Sequence, residues 1–265
     1  MPTLAPPAGN LPGTSGSRPL AWGVLVAAVL EVVAPAVTIY GPGTSPGAGA
    51  GPELLITPVG WAFSIWGVIY SLAIAQAVAV LVVGGGAVSR RLQIDQVVLY
   101  LGGALWIVLA GLDSSLATAA ALLVMFVAGV DGVLTVARKA GTPPWVALLT
   151  RAAVGLYAGW VTAAFFLNVS TALVDVGAVE ADSLPWQLVV LAVAALVLLT
   201  LTVAARGILT YAAAGVWALI GIAVTGVSDD TTEVTVLAVA SAVVLVTVTL
   251  AVRLSGRHPE AGTAG

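Results

Sequence analysis

The sequence predicts an all-α polytopic membrane protein, a helix bundle with eight transmembrane helices. Of its 265 residues, 60% are hydrophobic and 8% are charged, whereas about a quarter of the residues in a soluble domain are charged. The mean hydropathy is +1.11. Apolar runs long enough to cross about 30 Å of hydrocarbon recur along the chain. In lipid such runs must be helical, because unpaired backbone groups are too costly there.

The apolar runs give the eight elements in order. We predict spans at 20–40, 58–83, 96–112, 115–137, 146–175, 186–205, 208–227 and 233–253. The third span is short for a membrane helix and the fifth is long. Tight turns are expected at Asp113 and at Arg206 and Gly207, which separate neighbouring spans. Residues 1–18 are rich in Pro, Gly, Ala and Ser, which is typical of a disordered tail, and 255–265 form a second tail.

The charged residues test this count independently. If eight spans alternate in direction, eight of the nine basic residues fall on the side of the N-terminus, and Arg151 lies near it. The opposite side receives only acidic residues: Glu53, Asp113, Asp175, Glu180, Asp182, Asp229, Asp230 and Glu233. Lys and Arg accumulate in cytoplasmic loops, so both termini are expected in the cytoplasm. The Ala, Val and Gly bias favours a GC-rich bacterial genome, and hence the bacterial plasma (inner) membrane.

Composition also excludes several classes of function. The chain has no cysteine, which removes thiolate nucleophiles and iron–sulfur sites. Its one histidine, His258, lies in the C-terminal tail, so we expect no metal site and no axial haem ligand. The basic residues are spread singly, which indicates no nucleic-acid partner. No acid–base pair or nucleophile supports ordinary enzyme chemistry, so no catalytic residue is predicted.

Aromatic residues cluster at the entry to the second span. The chain has 8 Trp, 5 Tyr and 4 Phe, and four of these residues fall between positions 61 and 70. On a helix, Phe63, Trp66 and Tyr70 share one face at spacings of three and four. Rigid rings along one face can bind a flat apolar ligand, and they can equally pack against the next helix.

The fifth span carries a second pattern. On a helix, Tyr157, Trp160 and Asn168 form one stripe. Gly155 and Gly159 form a G-x-x-x-G pattern on another face, which lets a neighbouring backbone approach closely. The amide of Asn168 needs partners inside a membrane. Both a hydrogen bond to another helix and contact with a ligand would provide them.

These patterns resemble the motifs of the TspO/MBR family, the tryptophan-rich sensory and translocator proteins. The motif at the second helix is met by Pro58, Gly60, Trp61, Phe63, Trp66 and Tyr70. The motif of the fifth helix is met by Tyr157, Trp160, Val161, Thr162, Leu167 and Asn168, and Trp106 matches a tryptophan of the third helix. The resemblance implies a five-helix core over 19–175. It also implies a porphyrin or another tetrapyrrole as ligand, held without axial ligation in a sensing or transport role.

The chain departs from the family pattern in three ways. One residue is missing between Phe63 and Trp66, which shifts the ring register by about 100°. The asparagine of the family's third helix is replaced by Gly103, so one polar pocket group is lost. Residues 176–254 add three transmembrane helices that five-helix members lack. The chain therefore resembles a longer, divergent branch.

The depth of each tryptophan separates two roles. Trp22, Trp61, Trp145 and Trp186 lie at span ends, where an aromatic belt is the default interpretation. Trp66, Trp106, Trp160 and Trp217 lie inside spans, where that interpretation fails. By the helical rise, Trp66 lies roughly 12 Å, Trp106 roughly 9 Å and Asn168 roughly 10 Å from the outer ends of their spans.

This common level predicts a pocket for a flat lipophilic ligand in the outer half of the membrane, covered by the connection 41–57. Helix packing alone remains the alternative. The predicted pocket residues are Trp61, Phe63, Trp66, Tyr70, Trp106, Tyr157, Trp160 and Asn168.

Two acids inside spans leave a second class of function open. A charge near the middle of a span is costly and often functional, so Glu31 is either proton-linked or hydrogen-bonded to a neighbouring helix. Asp131 can be proton-linked too, although a paired acid near the interface suffices. Two other functions therefore stay open, a proton-coupled transporter and a membrane scaffold without a ligand. A homodimer in the bilayer is also possible.

Overall fold

The structure, a computed structural model, describes residues 16–40 and 53–255. Most of the predicted tails 1–18 and 255–265 and most of the connection 41–57 lie outside these residues, while Arg18 already belongs to the first helix. The described residues contain eight long helices and no strand, and each helix is long and apolar enough to cross a membrane. The predicted fold class is thereby confirmed. The helices are α1 Arg18–Tyr40, α2 Ile65–Val83, α3 Arg90–Ala110, α4 Ser115–Arg138, α5 Pro144–Asp175, α6 Leu184–Ala204, α7 Leu209–Ser228 and α8 Thr232–Ser255.

Two helix starts differ from the prediction. Helix α3 begins at Arg90 rather than 96. Ser89 caps it, because its hydroxyl accepts a hydrogen bond from the Leu92 amide at 3.3 Å. Helix α2 begins only at Ile65, after a 3₁₀ turn over Gly60–Ser64. The continuous α-helix expected from position 58 is therefore wrong in its first turns.

The two predicted turns are tight and left-handed. Asp113 has φ 52°, Arg206 has φ 57° and Gly207 has φ 67°. The amide of Gly207 donates to the Thr202 carbonyl at 2.9 Å, which closes the end of α6. The Arg253 guanidinium donates to the Gly207 carbonyl at 3.2 Å and so ties this turn to α8. These turns let consecutive helices reverse direction within a few residues.

The eight helices alternate in direction, which gives the bundle two chemically different ends. We call the end at which α1 begins the N-terminal end and the opposite one the distal end. At the N-terminal end, the Gly16 amide donates to the Val88 carbonyl at 3.0 Å and the Thr142 amide to the Ala87 carbonyl at 2.9 Å. The helix order places the eight loop acids at the distal end and the described basic residues at or near the N-terminal end. The predicted separation of charges is thereby retained.

Helices α5 and α7 form the centre and are the most buried of the eight. Helix α5 packs against α2, α4, α6 and α7, while α8 covers α6 and α7. A methyl group at Gly159 would lie 2.9 Å from the Ala214 side chain on α7, and Gly155 faces α7 as closely. The G-x-x-x-G pattern therefore serves close helix packing, as predicted. Large apolar side chains such as Val82 and Leu148 lie exposed on the outside, where a membrane protein meets lipid tails.

Candidate ligand cavity

A cavity opens between the α2–α5 region and helices α6 and α7. The space between its walls, counted together with the part open to the surroundings, is about 780 Å³, of which about 60 Å³ can hold the centre of a water molecule. Helix α5 contributes its distal half, and Asn168 lies seven residues before the helix ends at Asp175. On α6 the lining continues to Leu198, about 21 Å along the helix from Leu184 by the helical rise. The cavity thus starts in the distal half of the bundle and reaches past its middle.

One wall of the cavity is aromatic. Phe63, Trp66, Trp106 and Trp160 all line it. Trp66 is the centre of the cluster: its ring stacks on Trp106 at 6.4 Å between centroids and meets Trp160 edge-on at 6.2 Å. Phe63 meets Trp160 edge-on at 5.7 Å. The rings therefore pack against one another and also present apolar surface to the cavity.

A hydrogen bond fixes the polar end of this wall. The indole N–H of Trp106 donates to the Asn168 side-chain oxygen at 3.0 Å, and the Asn168 amide nitrogen donates to the Ala164 carbonyl at 3.1 Å. Of the two partners left open for Asn168, the structure shows the hydrogen bond to another helix. Together with the stacking of Trp66 on Trp106, it confirms that the three side chains lie at one level.

Trp160 carries an unused donor. Its side chain is buried, and its indole nitrogen has no hydrogen-bond partner among the described residues. Buried donors are nearly always paired with protein or water, so an unpaired one calls for an explanation. Trp160 lines the cavity with its ring, while its indole nitrogen is enclosed by the surrounding protein.

The comparison with protein families decides the identity of the chain. A family model described as TSPO-like protein matches residues 21–251. The chain belongs to the TSPO-like protein family. The match runs from α1 into α8 and so includes the three C-terminal helices, whose separation from a five-helix core at 175 stays a prediction. No curated protein and no solved structure matches the chain.

In this TSPO-like protein, three of the predicted pocket residues lie outside the cavity lining. Trp61 is 45% exposed and packs edge-on against Trp217, with ring centroids 5.0 Å apart. The 3₁₀ turn over Gly60–Ser64 changes its direction relative to an α-helix, for which 3.6 residues make a turn instead of 3.0. Tyr70 stacks on Trp66 at 5.4 Å, behind the wall. Tyr157 is fully buried and meets the Trp66 ring edge-on at 5.8 Å.

The opposite wall was not predicted from the sequence. It is built from aliphatic side chains of α6 and α7, with Leu122 and Met125 of α4 at one side. Both helices are apolar on nearly every face, so no periodicity marks the face turned to the cavity. The residues of this wall on α6 and α7 are Val190, Leu191, Ala194, Leu198, Ala218, Leu219 and Ile222.

Glu31 lies behind the aromatic wall and does not line the cavity. Its side chain is buried, and one carboxyl oxygen accepts a hydrogen bond from the Tyr157 hydroxyl. The other oxygen has no partner among the described residues. A methyl group at Gly103 would collide with this carboxyl, so the lack of a side chain at Gly103 makes room for Glu31. Of the two interpretations of Glu31, the geometry favours the hydrogen bond between helices.

Asp131 is a paired acid near the N-terminal end. The Arg91 Nε donates to its Oδ2 at 2.5 Å, and a second guanidinium nitrogen pairs with Oδ1. The two side chains are 68% and 29% exposed, which is typical of a surface ion pair. Among the described residues, no group of three or more His, Asp or Glu side chains is placed to hold a metal ion.

Proposed function

We propose that this TSPO-like protein is a multi-pass protein of the bacterial inner membrane, with cytoplasmic termini, that binds a flat lipophilic ligand such as a porphyrin. The observation that carries the proposal is the cavity itself, which lies among membrane-spanning helices and is lined by apolar side chains apart from one amide and three tryptophan indoles. Small-molecule sites are typically concave and mostly apolar, with a few placed polar groups. The proposal includes a sensing or transport role for the bound ligand.

The family match supports this proposal. Residues of both aromatic motifs that resemble the family, among them Trp66 and Trp160, line the cavity. A flat ring system that enters the cavity meets Phe63 and Trp160, whose edge-on contact leaves other ring surface free. Aromatic contacts contribute roughly 0.5–1.5 kcal/mol each beyond the burial of area. Two such contacts therefore change the affinity several-fold to about a hundredfold.

Titration with protoporphyrin, followed by quenching of tryptophan fluorescence in detergent, tests the proposal. Trp66→Phe and Trp160→Phe should weaken binding several-fold, because both shrink the aromatic wall. Trp145→Phe is the matched control, since Trp145 is 52% exposed and lies at the opposite end of α5. Equal affinities for all three variants and the parent would show that the aromatic cluster only packs.

A cavity-filling variant separates binding from packing more sharply. Ala164→Phe adds a ring inside the cavity and removes no existing side-chain contact, while Ala213→Phe adds the same ring on the exposed face of α7. We expect Ala164→Phe to abolish binding without loss of thermal stability and Ala213→Phe to bind normally. If Ala164→Phe binds protoporphyrin as the parent does, the ligand site is not this cavity. That result would favour the interpretation of the protein as a membrane scaffold. No observation favours proton-coupled transport, because Glu31 is bonded to Tyr157 and does not line the cavity.

A further inference from the structure

The cavity has two walls of different chemistry. The wall from the 3₁₀ turn, α2, α3 and α5 carries the flat rings together with smaller side chains of α5, whereas the α6–α7 wall is aliphatic throughout. Rings suit a flat molecule, and branched aliphatic side chains pack closely on a flexible hydrocarbon chain. A ligand that is flat over its whole extent would leave the second wall poorly filled, and poorly filled contacts forfeit dispersion energy.

The aliphatic wall is long enough for a tail. From Val190 to Leu198 it follows α6 for about 12 Å by the helical rise. Leu219 and Ile222 of α7 face it from the side of the neighbouring helix. This direction leads away from Asn168 and past the middle of the bundle, so a tail would run along the bundle while its ring stays at the level of Trp66 and Trp106.

Among the residues that the structure describes, none that lines the cavity carries a charged side chain. A carboxylate brought into it would lose its water and find no cation, which is a large penalty. The acids nearest to the cavity, such as Asp175, lie at the distal end of the bundle and would repel a carboxylate further. Asn168 of the lining keeps a second amide hydrogen, because its nitrogen makes one hydrogen bond among the described residues, to the Ala164 carbonyl. Such a donor recognises a neutral acceptor such as a carbonyl.

We infer that the ligand of this cavity is a neutral lipid with a flat, carbonyl-bearing ring and an aliphatic tail, held with the ring on the aromatic wall and the tail on the α6–α7 wall. The inference rests on the proposed function, since it requires that the cavity binds a flat lipophile. It gives α6 and α7 a direct part in ligand selection. A prenylated quinone has this chemistry and provides a convenient probe.

A probe pair measures the tail directly. Decylubiquinone and the same quinone ring without its tail are titrated into the full chain in detergent, with tryptophan quenching as the readout. Ala194→Phe fills the tail region, whereas Ala192→Phe places the same ring on the exposed side of α6. We expect Ala194→Phe to weaken decylubiquinone about tenfold, the loss expected when about two methylene groups are displaced. The tailless ring should bind this variant as it binds the parent.

Two further arms make the result unambiguous. Val190→Phe repeats the test at the other end of the wall, in case Ala194→Phe fails to fold. Protoporphyrin is compared with its dimethyl ester, and the parent should bind the neutral ester at least tenfold more tightly. Equal effects of Ala194→Phe and Ala192→Phe, or a preference for the free acid, would overturn the inference.

The failure of the proposed function would look different. In that case neither quinone nor porphyrin would bind, or Ala164→Phe would leave the binding of every probe unchanged. If flat probes bind and respond to Trp160→Phe while the tail has no effect, only the inference about the tail and the α6–α7 wall fails.

Discussion

The bond between Tyr157 and Glu31 gives the sharpest prediction about stability. The Tyr157 hydroxyl is the one hydrogen-bond partner of the Glu31 carboxyl among the described residues, and both side chains are buried. Tyr157→Phe removes the hydroxyl and retains the ring, whose edge-on contact with Trp66 can persist. The carboxyl is then left in the bundle interior with both oxygens unpaired.

The expected cost follows from the difference between a lost and an orphaned hydrogen bond. A neutral intramolecular bond contributes about 0.5–1.5 kcal/mol to the free energy of unfolding, whereas an unsatisfied buried acceptor costs about 1–3 kcal/mol. We therefore expect about 2 kcal/mol for Tyr157→Phe. At about 2–4 °C per kcal/mol for a chain of this size, its melting temperature should fall by about 4–8 °C.

Tyr211→Phe is the matched control. Tyr211 is equally buried, and its hydroxyl lies 3.1 Å from the Thr162 hydroxyl. Thr162 keeps a second bond, because its hydroxyl donates to the Ala158 carbonyl at 2.7 Å. Removal of the Tyr211 hydroxyl thus leaves no polar atom without a partner, and we expect about 1 kcal/mol or less.

A double-mutant cycle assigns the effect to the pair. Glu31→Met replaces the carboxyl by an apolar chain of similar length, and the replacement of both partners by apolar groups can be nearly neutral. Thermal unfolding in one detergent, followed by circular dichroism, should give a coupling energy above about 1 kcal/mol between Glu31→Met and Tyr157→Phe. The reasoning is refuted if the two changes are additive, or if Tyr157→Phe lowers the melting temperature no further than Tyr211→Phe.

Three other predictions address packing, topology and charge. Gly159→Ala should prevent the close approach of α7 and lower the yield of folded protein in size-exclusion chromatography, while Gly67→Ala, where a methyl group meets nothing within 4 Å, should be tolerated. In this cysteine-free chain, Ala178→Cys should react with an impermeant maleimide added to intact cells and Lys139→Cys should react only after lysis; the reverse pattern would invert the proposed orientation. Asp131→Asn should change the free energy of unfolding by less than about 1 kcal/mol, because its ion pair is exposed, and a larger loss in thermal unfolding would assign it a buried role.

The number and order of the helices are predictable from the sequence because the membrane leaves the backbone few alternatives. Hydropathy locates the spans, and the charges show that they alternate. The start of α3 was missed for a physical reason. Its first turns carry Gln93 and Gln96, which are polar yet buried. Gln96 donates to the Gln76 side-chain oxygen on α2 at 2.7 Å. A hydropathy profile scores such residues as polar and places them outside the membrane, because it contains no information about hydrogen bonds to another helix.

The candidate site was predictable on one side only. Depth along each helix placed Trp66, Trp106 and Asn168 at one level, and this follows from the rise per residue alone. The direction of Trp61 was not predictable, because it depends on a 3₁₀ turn that the local sequence does not mark. Tyr157 lies on the expected stripe of α5, but its hydroxyl donates a hydrogen bond to Glu31 on α1 and does not face the cavity lining.

The aliphatic wall explains how the C-terminal helices relate to the rest of the TSPO-like protein. Helix α7 approaches α5 at Gly155 and Gly159, which have no side chain in the way. This close approach brings Leu219 and Ile222 of α7 opposite the aromatic wall. Without α6 and α7 the rings would face lipid directly, and a lipophilic ligand would gain little by leaving the bilayer for them. For the proposed ligand site, helices α6 and α7 therefore provide the second wall that a lipophilic ligand needs in order to leave the bilayer.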